Sequence, residues 1–189
     1  MKKFLMSVSF ASVLLATGGC IFTENPYVEN AEFDLELPKL ESKAPQKPIR
    51  LGVFKNLSGS DRRFMVRRGD GQVMSLEYQR WRLSPEIMLM RCMYGVFQIR
   101  GQEAIDSPQV SVVIYRFEFD DRDGKAHLAA DFMLTTPNSS SLRSAPTVRV
   151  DVAVPVKGSG DPAAARAEAM SKCAELALSE LAAGMAKLK

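Results

Sequence analysis

Apolar and polar residues alternate with a period of two along most of this chain and shift to a helical period in two places. Residues 49–54 set Ile49, Leu51 and Val53 against Arg50, Gly52 and Phe54, which predicts a strand buried on one face. Residues 31–37 set Phe33, Leu35 and Leu37 against Glu32, Asp34 and Glu36 and predict another. Residues 63–68 and 72–76 flank Gly69-Asp70-Gly71, whose tolerance of positive φ suits a tight hairpin. Residues 109–120 and 126–135 make a longer hairpin around Asp121-Arg122-Asp123-Gly124. On its first arm Val110, Val112, Ile114, Arg116 and Glu118 share one face, while Ser111, Val113, Tyr115, Phe117 and Phe119 share the other. The two faces therefore exchange character partway along, which points to twist or to an extension beyond the core. Residues 147–156 end the series with five valines on one face, a row that needs a covering layer.

The helical segments carry their own start signals. Ser84-Pro85-Glu86 offers an N-cap, a proline at the first helical position and an acid at the positive end of the dipole. A helix from there to about residue 97 has apolar residues around most of its circumference, so it is expected to be buried or packed on a partner. Asp161-Pro162 opens a second, in which Met170, Cys173, Ala174, Ala177, Leu181, Met185 and Leu188 recur at three- and four-residue spacing. Prolines 26, 38, 45 and 48 keep most of residues 21–48 out of helices, 41–48 reads as a loop, and 137–144 as a polar turn. The element order predicts an α+β domain with a mostly antiparallel sheet, open to a mixed arrangement, covered by two helices.

The N-terminus differs in kind from this domain. Lys2 and Lys3 precede an apolar run, Phe4 to Ala16, and then Thr17, Gly18 and Gly19 lead into Cys20. The run is too short to span a bilayer and reads as a secretory signal. A cysteine at the cut site resembles a bacterial lipoprotein signal, with residues 1–19 removed and Cys20 acylated. Thr17 stands where a leucine is usual, and an ordinary secretory signal with a chance cysteine is the other reading. Several acyl chains give stable anchoring at about 0.8 kcal/mol per buried methylene, whereas a single chain binds marginally. Residues 20–30 then form a tether of roughly ten residues, able to reach some 30 Å at full extension, and residues 31–189 form one domain.

Composition narrows the chemistry. Removing Lys2 and Lys3 from the 25 basic residues leaves 23 against 22 acidic ones, a mature charge of +1, so nucleic acid is not an expected partner. Beyond Cys20, only Cys92 and Cys173 remain, and the sequence leaves open whether they form a disulfide or two buried thiols. Gly-x-Ser-x-Gly and phosphate-cradling glycine loops are missing, and any Ser-His-Asp set would depend on the single His127, which reads as structural or surface. Asp120, Asp121 and Asp123 before Gly124 superficially resemble a calcium loop, but the ligand spacing fails, so no metal or other cofactor is expected. Met88, Met90 and Met93 read as packing residues of an apolar helix. Nothing in these residues argues for an enzyme.

Residues 49–97 carry a family resemblance. Ile49-Arg50-Leu51-Gly52-Val53-Phe54 is followed by Arg63-Phe64-Met65-Val66-Arg67-Arg68, then Tyr78-Gln79-Arg80-Trp81, then Ser84-Pro85. This resembles the ABC-type transport auxiliary lipoproteins, the PqiC-like family, in which a strand, an arginine-containing hairpin, a Tyr-x-x-Trp turn and a proline-opened helix succeed one another. The resemblance implies a non-enzymatic component of an intermembrane lipid transport system that docks a partner with mammalian-cell-entry domains. Ile21, in place of the aspartate that favours inner-membrane retention, implies a periplasm-facing site on the outer membrane, and a homo-oligomeric ring is a further expectation. Arg62, Arg63, Arg67, Arg68, Arg80, Trp81 and Arg82 are the candidate contacts for a partner or for lipid headgroups. Against that, Trp81 is the kind of residue that plugs a core, and the arginines have local carboxylates to pair with. Other readings are a lipid carrier lined by the methionine-rich helix, or a structural lipoprotein of another envelope assembly.

Overall fold

Strands hold more of the domain than helices do because β-branched and aromatic residues alternate through it. The computed structural model describes residues 29–38, 48–136, 145–158 and 160–187. The signal segment, Cys20, most of the tether, residues 41–47 of the expected loop, the 137–144 turn and Leu188 lie outside the described residues. Eight strands and two helices follow in the order β1 (Ala31–Phe33), β2 (Ile49–Asn56), β3 (Arg63–Arg67), β4 (Val73–Trp81), α1 (Pro85–Val96), β5 (Ile99–Arg100), β6 (Gln109–Asp120), β7 (Lys125–Thr135), β8 (Thr147–Pro155) and α2 (Pro162–Ala186).

The sheet is mixed. β6–β7, β7–β8 and β3–β4 pair antiparallel, whereas β1–β4, β2–β5, β2–β6 and β3–β6 pair parallel. β5 and β6 run parallel to β2 because α1 carries the chain from the end of β4 to β5, beside β2. β6 is the central strand. One edge of it is taken by β7 throughout, while the other is divided, with β2 along residues 109–114 and β3 at Phe119 and Asp120.

Register shifts in β6, in β2 and between Arg63 and Met65 of β3 break the period-two pattern. In β6 the register with β7 shifts between Ile114 and Arg116, so Ile114, Phe117 and Phe119 all point into the core, and Arg116 is turned outward with Glu118 and Asp120. This bulge explains the exchange of character read from the sequence. In β2 the register with β6 shifts between Leu51 and Phe54, leaving Val53 exposed and packing Phe54 against the core, the reverse of the sequence expectation. Gly52 lies at that shift, where a Cβ would collide with Ser111 Oγ; the same hydroxyl accepts a hydrogen bond from the Val53 amide at 3.2 Å.

Several boundaries also differ from expectation. β1 stops at Phe33 because it pairs only with Gln79–Trp81, the last residues of β4; Leu35 is nevertheless buried. Residues 78–81 form the end of β4 instead of a turn, held by β1 on one side and by Arg63 on the other. α1 buries one face, Met88, Leu89, Cys92 and Met93, and leaves Ile87 and Tyr94 exposed, so it is less enclosed than its composition suggests. Ser84 occupies its N-cap position without a side-chain cap; its hydroxyl instead donates to Glu86 at 2.6 Å. α2 begins as expected, with the Asp161 carboxylate accepting from the Ala163 amide at 2.9 Å, and packs its stripe on β7 and β8, where Val150 and Val152 are buried. No helix among the described residues is long and apolar enough to cross a membrane.

Candidate functional site

The β3–β4 hairpin separates the candidate arginines into two groups. At its open end Arg63 stands directly opposite Arg80, with Arg62 and Arg82 flanking them. Arg62 is committed locally: Nη2 donates to Glu32 at 3.1 Å and Nε to the Trp81 carbonyl at 3.2 Å. Arg63 and Arg82 are exposed and form no salt bridge among the described residues, although the Arg63 charge acts on the nearby Asp61 carboxylate, and the Nε of half-buried Arg80 has no hydrogen-bond partner. The Asp61 carboxylate accepts from the Arg63 amide, which holds its pKa below the usual carboxylate value although the residue is exposed. At the turn end Arg68 is exposed, while Arg67 turns onto the sheet and forks onto Glu118, Nε to Oε1 at 2.8 Å and Nη2 to Oε2 at 3.1 Å.

Trp81 offers no external surface. It is fully buried, with ring centroids 4.3 Å from Phe64 and 5.3 Å from Phe117, and its Nε1 has no hydrogen-bond partner among the described residues. It fills the core beneath the hairpin, which removes it from the set of surface contacts.

Arg67 belongs to a charge network on the outer face of β6 and β7. Glu118 also accepts from Arg116 Nε at 2.7 Å; Asp120 accepts from Arg116 Nη2 at 2.9 Å and Arg122 Nη2 at 2.6 Å. His127 connects Arg116 Nη1, 3.0 Å from its Nδ1, with Asp123, 3.0 Å from its Nε2. Because a guanidinium only donates, Nδ1 is the acceptor here and Nε2 faces Asp123 as the donor. Three arginines meet three carboxylates, so the network is electrically balanced. Arg122 holds the Asp120 carboxyl far below the usual range against the opposing effect of burial. Burial alone would raise Glu118, but the hydrogen bonds from Arg67 and Arg116 outweigh it and the net direction is down.

This cluster was not evident in the sequence, where His127 read as remote from any ligand-like group. The signal present there was the row Arg116-x-Glu118-x-Asp120 within an otherwise apolar strand. Asp120, Asp123 and His127 bring potential metal-ligand atoms within 4.8 Å of one another. Their electron pairs are nevertheless occupied: both Asp120 oxygens accept from Arg122, and Asp123 accepts from His127 and from the Lys125 amide. With three guanidinium groups around it, the arrangement fits internal neutralisation and not a cation.

The network yields a stability prediction. Glu118 and Asp120 have folded pKa values below their ordinary 4.5 and 3.8, so their contribution is complete above those values and is lost as pH falls through the folded ones. Thermal stability should therefore decline on acidification below about pH 4.5. Glu118→Gln should lower stability at pH 7 by about 2 kcal/mol, less than the 3–5 kcal/mol of a fully buried pair because both arginines keep some solvent. Its acid decline should be shallower than that of the wild type. Equal slopes in a melting series from pH 7 to 3 would contradict this role.

Cys92 and Cys173 are unbridged, buried thiols, and burial pushes their pKa values up to about 11 and about 12. The Cys173 thiol donates to the Ala126 carbonyl at 3.3 Å. Met88 and Met93 are core residues. Two adjoining grooves, of about 300 and 440 Å³, lie between residues 33–38 and the first half of α2, and share Glu36, Lys157, Ala165, Glu168 and Ser171. Neither is lined by α1, so the methionine-rich helix of the carrier reading is not part of them.

A family model described as ABC-type transport auxiliary lipoprotein component matches residues 60–182, which is 123 of the 189 residues and extends from the start of the β3–β4 hairpin into α2. Among curated proteins none matches the chain. Two crystal structures are among those that share the fold. One, of an uncharacterized protein, has 10% identity and a TM-score of 0.60, covering 80% of this chain and 95% of its own. The other, a Xanthomonas campestris protein with the family-model designation DUF330, has 14% identity and a TM-score of 0.55, covering 80% and 91%.

Proposed function

The chain belongs to the ABC-type transport auxiliary lipoprotein family, and from that membership we propose that it is a non-enzymatic outer-membrane lipoprotein that docks a mammalian-cell-entry protein of an intermembrane lipid transporter. The observation that carries this reading is the family match across residues 60–182, since it takes in both the arginine hairpin and the helix that covers the sheet. A lipoprotein family whose members serve an ABC-type transport system implies a membrane-anchored component of the envelope. The N-terminal segment supports the finer address: Cys20 is the lipidation residue, and Ile21 after it favours the outer membrane, with the domain facing the periplasm.

Such a role needs a rigid surface held near a membrane, and needs no reactive group. The domain fits it. The buried carboxylates are neutralised by arginine, the histidine is engaged on both nitrogens, and both thiols are buried with raised pKa values. Purification of the tagged lipoprotein from detergent-solubilised membranes should recover a protein with mammalian-cell-entry domains as a stoichiometric companion. Its absence under mild solubilisation, with the ATPase and permease of the transporter also missing, would overturn the docking role.

A further inference from the structure

The open end of the β3–β4 hairpin holds more positive charge than its two neighbouring carboxylates, Glu32 and Asp61, neutralise among the described residues. Arg63 and Arg80 are directly opposite residues of an antiparallel pair, so their side chains leave the same face side by side, an arrangement of like charges that destabilises a hairpin unless an anion covers it. Glu32 neighbours Arg80 across the β1–β4 pairing, but its carboxylate is taken by Arg62 at 3.1 Å. Asp61 is occupied by the amides of Arg62 and Arg63. Four arginines thus face two engaged carboxylates, leaving two positive charges in excess and the buried Arg80 Nε with no acceptor among the described residues. The contrast with the β6–β7 network is informative, because there every guanidinium meets a carboxylate.

The position of this end in the chain points to what covers it. β1 is hydrogen-bonded to β4 beside Arg80, and it begins at Ala31, eleven residues after Cys20. An anchor at Cys20 therefore confines the basic end to within about 40 Å of the bilayer at full extension. We propose that Arg63, Arg80 and Arg82 form a second membrane contact, engaging phosphate groups of anionic phospholipids in the leaflet that holds the Cys20 anchor. This rests on the lipid anchor of the proposed function and adds to it an orientation: the hairpin's open end faces the membrane, and the β6–β7 turn, at the other end of β3, faces away. An arginine fork matches phosphate oxygens, and each basic residue near an anionic surface strengthens the contact about fivefold.

The test uses the full lipidated protein carrying Tyr78→Cys, an exposed β4 position two residues before Arg80, labelled with an environment-sensitive fluorophore. Burial protects Cys92 and Cys173 from the label. The protein is inserted through its own anchor into vesicles of phosphatidylethanolamine alone or with about a third of phosphatidylglycerol. A blue-shifted emission is expected only with phosphatidylglycerol, suppressed by high salt. It should weaken about fivefold for Arg63→Gln or Arg82→Gln and further for both together, at exposed sites that leave the core intact. Equal emission in the two vesicle types, or an unchanged shift in the double variant, would overturn the proposal. Competition by inorganic phosphate at constant ionic strength would reassign the cluster to a soluble anion and overturn it too. Protein that fails to float with the vesicles would strike the anchor itself, whereas floating protein without the shift would strike only the arginine contact.

Discussion

Replacing Trp81 by alanine is expected to cost the domain about 3–5 kcal/mol, lowering its melting temperature by roughly 8–15 °C. The side chain is fully buried where β1, β3, β4 and β6 meet, and its ring lies within 6.2 Å of Phe64, Phe117 and Phe119. Truncation would empty the largest volume in an aromatic cluster whose backbone is pinned by strand pairing on both sides of β4, so the cavity could close only in part. Trp81→Phe separates packing from polarity. It keeps most of the volume and removes an indole N–H that has no acceptor among the described residues, so its loss should be less than half that of the alanine variant. Chemical denaturation of the two variants checks this, and a near-neutral Trp81→Ala would mean that the cluster does not hold the hairpin to the sheet.

Cys20→Ala should move the protein from the membrane to the soluble periplasmic fraction, with its domain folded as in the wild type. Stable anchoring in the proposed function derives from acyl chains on one residue, at about 0.8 kcal/mol per methylene, which far exceeds what an arginine contact adds, so removing their attachment point releases the protein. The buried apolar core runs from Leu35 to Leu181 among the described residues, hence the melting temperature should be unchanged. Fractionation and intact-mass analysis of the mature chain decide the matter. A wild type with an unmodified Cys20, or a variant distributed as the wild type, would overturn the lipoprotein reading, and the departure at Thr17 makes that measurement worth doing first.

Helix starts and the two hairpins were legible in the sequence because their determinants are local. Asp161 caps α2 two residues away, and Gly71 and Gly124 supply the positive φ values of 86° and 67° that their turns need. The bulges at residues 51–54 and 114–116 were legible only as a disturbance. An added residue reverses the parity of every side chain after it, and a period-two pattern cannot tell this from a change of environment. The parallel pairings were not legible, since the crossover through α1 sets strand direction without changing the composition of β2 or β6. The candidate arginines show the same limit. Seven neighbouring residues looked like one patch, yet Trp81 went to the core, Arg67 to Glu118 and Arg62 to Glu32, because β6 and β1, distant in sequence, supply the partners.

On the proposed function, the divided edge of β6 sets the order in which the chain, once exported, acquires its shape. Threaded across a membrane N-terminus first, β2 and β3 arrive long before residues 109–120, the strand that both must pair with. Until then β2 lacks its principal partner, and the β3–β4 hairpin has one arm unpaired and its aromatic face without Phe117 and Phe119. By contrast β6, β7 and β8 meet in sequence order and can join as soon as they emerge, so the later half of the chain becomes the template on which the earlier half is completed. With Cys20 lipidated as proposed, the domain closes while already moored at the first residue of the mature chain.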